Sequence, residues 1–116
     1  MSRPKVFKVV DNIYCIHRSS YFCCTYIIRD SDGFALVDTC MQSGGDDVVF
    51  AFDLLGFEMS GIHSIFITHW HNDHSAGTAK VKELSGARVY CGAQDAPFLD
   101  GTKKSLPLFL QLSSLV

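Results

Sequence analysis

The sequence predicts an α/β chain of the mixed α+β kind, a β-meander followed by alternating helices and strands. Between Val6 and Asp38, β-branched and aromatic residues are punctuated by Asp, Asn and Gly, the pattern of short strands joined by tight turns. After Gly44 the apolar spacing changes to a helical period. With 116 residues, 47% of them apolar and 19% charged, the chain is expected to form one compact domain with a real core, which excludes a disordered chain or a disulfide scaffold.

The first strands are read at Val6 to Val10, Ile13 to His17, Cys23 to Arg29 and Phe34 to Asp38, separated by the Asp11-Asn12 and Asp30-Ser31-Asp32-Gly33 turns. A helix follows Gly44-Gly45-Asp46-Asp47, with Val48, Val49, Phe52 and Leu55 on one face and the two aspartates suiting its positive N-terminus. Gly56 and Gly61 bracket its exit into a buried strand, Ile62 to Thr68, which runs straight into His69. A second helix is expected from Ser75 to Gly86 with Ala76, Ala79 and Leu84 inward, then a strand at Ala87 to Cys91 and a further helical turn within Ala93 to Leu99. From Gly101 the texture differs, with Lys103-Lys104 preceding a Leu-rich stretch of weak periodicity, so residues 1–100 are read as the domain and 101–116 as a divergent tail.

The net charge of −2 advertises no surface for nucleic acid. The longest apolar run, Val48 to Phe52, is far below the roughly 18 residues of a membrane span, and no signal peptide is read. Five cysteines, odd in number and without a C-x-x-C unit, predict a reduced chain in the cytoplasm.

The chemistry is concentrated in Thr68 to Gly77, T-H-W-H-N-D-H-S-A-G, where His69, His71, Asp73 and His74 converge at a strand-to-helix junction. In extended backbone, residues i and i+2 project to one side about 6.6 Å apart, so His69 and His71 can reach one ion. Imidazole and carboxylate suit zinc and also accept manganese or iron, which leaves the metal open. A site of this kind with an unfilled position holds a water whose pKa falls to about 7, which is hydrolytic chemistry. A solvated histidine-rich turn is the plain alternative; it has to place three of the chain's five histidines and an aspartate in this order by accident.

T-H-x-H-x-D-H-x-x-G after an apolar strand resembles the signature of the metallo-β-lactamase fold superfamily. Phe34 to Thr39, a strand ending in an early aspartate, and Gly-Ala-Arg-Val-Tyr after the second helix extend the resemblance over roughly residues 6 to 100. It implies the N-terminal half of an αββα sandwich, with His69 and His71 in a first metal site and Asp73 and His74 in a second, holding one or two zinc ions. Asp73 is also the implied catalytic residue, positioning the nucleophilic water or accepting its proton. Asp38 is implied as a buried support that orients a ligand histidine or the metal's water; as a residue of the sequence alone it is a strand-end turn former.

The family completes its sites with two further histidines and a bridging aspartate from the second half of the sandwich. Here no histidine follows His74, and the later aspartates, Asp95 and Asp100, come too early for the bridge. The expected function is a metal-dependent hydrolase acting through metal-bound hydroxide on a carbonyl or phosphoester centre of a small molecule. The competing expectation is a truncated, non-catalytic metal-binding or interaction module. Either way, a half-sandwich exposes a sheet face that a homodimer or a partner must cover.

Overall fold

The computed structural model describes residues 3–18, 23–40, 44–68, 75–94 and 97. In chain order it contains β1 (Lys5–Val10), β2 (Ile13–Arg18), β3 (Cys23–Asp30), β4 (Gly33–Val37), α1 (Asp46–Leu55), a 3₁₀ turn at Met59–Gly61, β5 (Ile62–Phe66), α2 (Thr78–Ser85) and β6 (Arg88–Tyr90). The strands form one sheet in the order β1-β2-β3-β4-β5-β6. The meander pairs antiparallel as far as β4, and β4, β5 and β6 run parallel. This is the β-meander followed by alternating helices and strands that the patterning predicts, and the α/β half-sandwich that the resemblance implies.

Parallel neighbours require crossovers, and α1 and α2 supply them. Crossovers are right-handed as a rule, so two successive ones advancing in the same direction across a sheet place both helices on one face. The register shows the consequence. Tyr14, Ile27, Leu36, Ile65 and Val89 lie side by side on the helix-covered face, where Ile27, Leu36 and Ile65 are completely buried. They join Val48, Ala51 and Phe52 of α1 and Val81 of α2 in a single core. Phe34 extends it, with its ring edge-on to Phe52 at 5.2 Å and tilted against Phe57 at 4.6 Å.

One register step away, Phe7, Cys15, Tyr26, Val37, Phe66 and Tyr90 form the matching row on the opposite face. Phe7 (46% exposed), Tyr26 (37%), Phe66 (44%) and Tyr90 (44%) stand open there. Phe66 and Tyr90 stack on each other at 5.1 Å.

Both helices depart in detail from the sequence expectations. α2 begins at Thr78 rather than Ser75, and it turns Thr78 and Val81 inward while Ala79 and Leu84 are exposed and Ala76 is half-buried. Alanine is compatible with either side of a helix and carries little directional signal, whereas the β-branched Val81 is the larger apolar anchor. On α1, Val49 is 38% exposed while Ala51 is fully buried, because the inward side of the helix runs through Val48, Ala51 and Phe52 at i, i+3 and i+4. Asp47, expected only as a complement to the helix dipole, is buried. The tail at 101–116 and most of the helical turn expected within Ala93 to Leu99 lie outside the described residues.

Gly33 is required by a close approach. At φ +134°, a Cβ on it would run into the Gly61 carbonyl where the β3–β4 turn meets the start of β5.

Candidate metal centre

Antiparallel pairing to β4 brings the start of β3 and the end of β2 to the same edge of the sheet as the C-terminal ends of β4 and β5. Arg18, Cys23, Thr25, Asp38, Thr39, Cys40 and Thr68 therefore meet there, although they are spread over fifty positions of the chain.

Asp38 follows the last residue of β4. Its own N–H donates to the Phe66 carbonyl at 2.8 Å, extending the β4–β5 pairing by one step. Its φ is +65°, a left-handed conformation that aspartate tolerates better than most residues, and this turns the chain out of the sheet. The carboxylate, in a side chain only 3% exposed, accepts the Thr68 N–H on one oxygen and the Thr68 hydroxyl on the other, each at 2.8 Å. Thr68 is the residue immediately before His69.

Thr39 is fully buried, and its hydroxyl lies 3.0 Å from the hydroxyl of Thr78 at the start of α2. Cys40, again left-handed at φ +64°, is buried and donates its thiol to the Thr25 hydroxyl at 3.1 Å. The Cys23 thiol beside Cys40 holds its pKa below the ordinary thiol value by hydrogen bonding, against the opposing effect of burial. Arg18 grips Asp47 at the first turn of α1 through two hydrogen bonds of 2.8 Å. That bond is the first cause of an arginine pKa raised above its usual value.

His69, His71, Asp73 and His74 lie outside the described residues, so the structure fixes their flanks, Thr68 before and Ser75 after. Among the described residues no three His, Cys, Asp or Glu side chains gather as a metal site. His63 stands at the far end of β5, where its Nε2 meets Asp30 at 2.8 Å and its Nδ1 meets the Ser64 hydroxyl at 2.8 Å. His17 is at the near end, on the open face, with Nδ1 3.3 Å from the Cys24 sulfur. The donor chemistry of the motif, three imidazoles and a carboxylate, fits a borderline divalent cation such as zinc.

Thr39, Thr78 and the Arg18–Asp47 pair escaped the sequence reading. The one available signal was the position of a polar Thr directly after Asp38 in an otherwise apolar strand end.

Comparison with known proteins agrees with this architecture. The family model described as the metallo-beta-lactamase superfamily matches residues 21–112. A Drosophila melanogaster protein, the Beta-lactamase-like protein 2 homolog, is 30% identical over 78 residues, covering 63% of this chain and 27% of its own length. Among solved structures, the subclass B3 metallo-beta-lactamase BJP-1 of Bradyrhizobium japonicum superposes with a TM-score of 0.77 at 34% identity, covering 85% of this chain and 37% of that one. The MIM-2 metallo-beta-lactamase superposes with a TM-score of 0.79 at 26% identity, over 89% of this chain and 39% of that one. The chain thus spans well under half the length of each of these relatives. A family model that matches residues 21–112, most of the chain, shows that the chain belongs to the metallo-beta-lactamase superfamily.

Proposed function

We propose that the chain carries part of the active site of a metal-dependent hydrolase, with zinc as its ion and a small molecule bearing a carbonyl or phosphoester as its substrate. The observation that carries this is the position of H-x-H-x-D-H directly after Thr68, whose N–H and hydroxyl are both held by Asp38. His69 and His71 would hold one ion, and Asp73 and His74 a second. A bound divalent cation of this kind lowers the pKa of a coordinated water and polarises the bond to be cleaved. Asp73 orients the attacking water or takes its proton. Asp38 acts through Thr68, setting where the chain enters the motif. The two structural relatives named as β-lactamases favour a carbonyl centre over a phosphoester.

The test is turnover of a panel of lactam, thioester, lactone and phosphodiester substrates with added zinc, beside a His69→Ala, His71→Ala chain. Turnover by the parent chain and none by the variant supports the hydrolase. Stoichiometric zinc binding without any turnover would instead identify a metal-binding module.

The exposed rings of Phe7, Tyr26, Phe66 and Tyr90 leave an apolar strip across the sheet face opposite the helices, the kind of surface that association with a second copy covers. We assign it as the face of a homodimer, read by size-exclusion chromatography with light scattering; a monodisperse monomer overturns the assignment. The five cysteines are free of disulfides, which supports a reducing, cytoplasmic setting. No helix among the described residues is long and apolar enough to cross a membrane.

A further inference from the structure

Asp38 and Thr39 are consecutive, yet their side chains serve different elements. Asp38 takes both polar hydrogens of Thr68, at 2.8 Å each, while Thr39 pairs with Thr78 at 3.0 Å. Thr68 immediately precedes His69, and Thr78 stands four positions after His74. One dipeptide therefore touches both flanks of segment 69–77.

Burial makes these contacts demanding. Asp38 is 3% exposed, Thr39 0% and Thr78 9%, so water cannot readily replace a lost partner. A hydroxyl pair in such a place is satisfied only over a narrow range of distance and direction, unlike an apolar contact, which can slide. Left-handed backbone at Asp38 and Cys40, on either side of Thr39, sends neighbouring side chains to the two different targets, and Thr25 anchors Cys40 in turn.

We propose that the Thr39–Thr78 contact is a second tie which, beside the Asp38–Thr68 contact already described, completes a two-point brace on Thr68 and Thr78, the residues flanking segment 69–77, and that Thr39 and Thr78 are positioning residues for its metal donors. The part concerning metal rests on the metal-centre reading above. Fixing both ends of a ligand-bearing segment removes conformational freedom that binding would otherwise have to remove.

The test uses the whole 116-residue chain with two readouts, Zn2+ affinity by competition with a chromophoric chelator and amide hydrogen exchange across 69–77 in the metal-free protein. Thr39→Val, which keeps the shape and deletes the hydroxyl, is expected to weaken Zn2+ binding roughly tenfold. It should also speed exchange in 69–77 while leaving β1 to β3 unchanged. Thr39→Ser, which keeps the hydroxyl, should retain parental values in both. The Thr39→Val, Thr78→Val double variant removes the unsatisfied partner but not the loss of the tether, so its affinity stays low. If Thr39→Val does not fold, Thr78→Ala deletes the same bond from the more accessible side and carries the same expectations.

A folded variant with parental affinity, or with parental exchange across 69–77, overturns the brace. Failure of the metal reading looks different: the parent chain binds no Zn2+, or His69→Ala, His71→Ala binds it equally well. In that event the exchange comparison alone decides, faster exchange supporting the brace and unchanged exchange overturning it.

Discussion

Arg18 and Asp47, twenty-nine residues apart, meet through a two-pronged ion pair in which Nε and a terminal nitrogen of the guanidinium donate to the two carboxylate oxygens, each at 2.8 Å. The side chains are only 11% and 4% exposed. The pair ties the end of β2 to the first turn of α1, where the carboxylate also faces the positive end of the helix. Removing one partner strands the other charge, so Arg18→Met is expected to cost about 3–5 kcal/mol. Adding Asp47→Leu to it should recover much of that loss. Urea unfolding of the two single variants and the double variant measures the cycle, and additive losses would show that the pair is not coupled.

Asp38 supports two bonds with one buried carboxylate. Asp38→Ala is expected to destabilise the chain by about 2–4 kcal/mol, since each hydrogen bond to a charged group is worth more than a neutral one. Asp38→Asn should fall between, because its oxygen can accept one donor while its amide opposes the other. Chemical denaturation ranks the three chains; equal midpoints would rule out the role.

Burial, followed by the neighbouring Cys24, pushes the Cys15 thiol from 9.0 up to about 11. Its folded pKa therefore lies above its unfolded value. The resulting stabilisation is fully present below pH 9.0 and is lost as the pH rises through about 11. Unfolding midpoints across that window should drop less steeply in Cys15→Ala than in the parent. Thiol titration adds a check: the exposed Cys91 should react first, and the buried Cys15 only when the chain opens.

The two faces of the sheet should answer differently to mutation. Leu36→Ala, in the fully buried row, is expected to lose about 2–5 kcal/mol. Phe66→Ser with Tyr90→Ser, on the open face, should change monomer stability far less and abolish self-association. Light scattering and denaturation on the same samples separate the two effects, and a double serine variant that still dimerises would place the interface elsewhere.

Chelator treatment supplies a further check on the metal reading. With a resident ion, stripping should lower the melting temperature and added zinc restore it, because a ligand that binds only the folded state stabilises it by mass action. The His69→Ala, His71→Ala chain should show no such response.

Much was legible in the amino-acid order alone. The strands of the meander, both crossover helices and the strand leading into His69 follow from period and turn residues, and these signals are local. The donor motif was equally plain, as residue types at fixed spacing, whereas Asp38 at the end of β4 is by itself a turn former and is marked as a support only by the family resemblance. The uncovered sheet face was anticipated only through the half-sandwich that the resemblance implies. The tertiary structure alone decided which partners these residues meet: Thr68 for Asp38, Thr78 for Thr39, Asp47 for Arg18. It also turned Val81 inward where Ala79 and Leu84 were expected, and it selected Phe7, Tyr26, Phe66 and Tyr90 as the open row. The physical reason is sequence separation. A period reports which side of its own element a residue occupies, whereas a hydrogen bond across thirty or forty residues depends on sheet register and on a left-handed turn, and neither leaves a periodic mark in the chain.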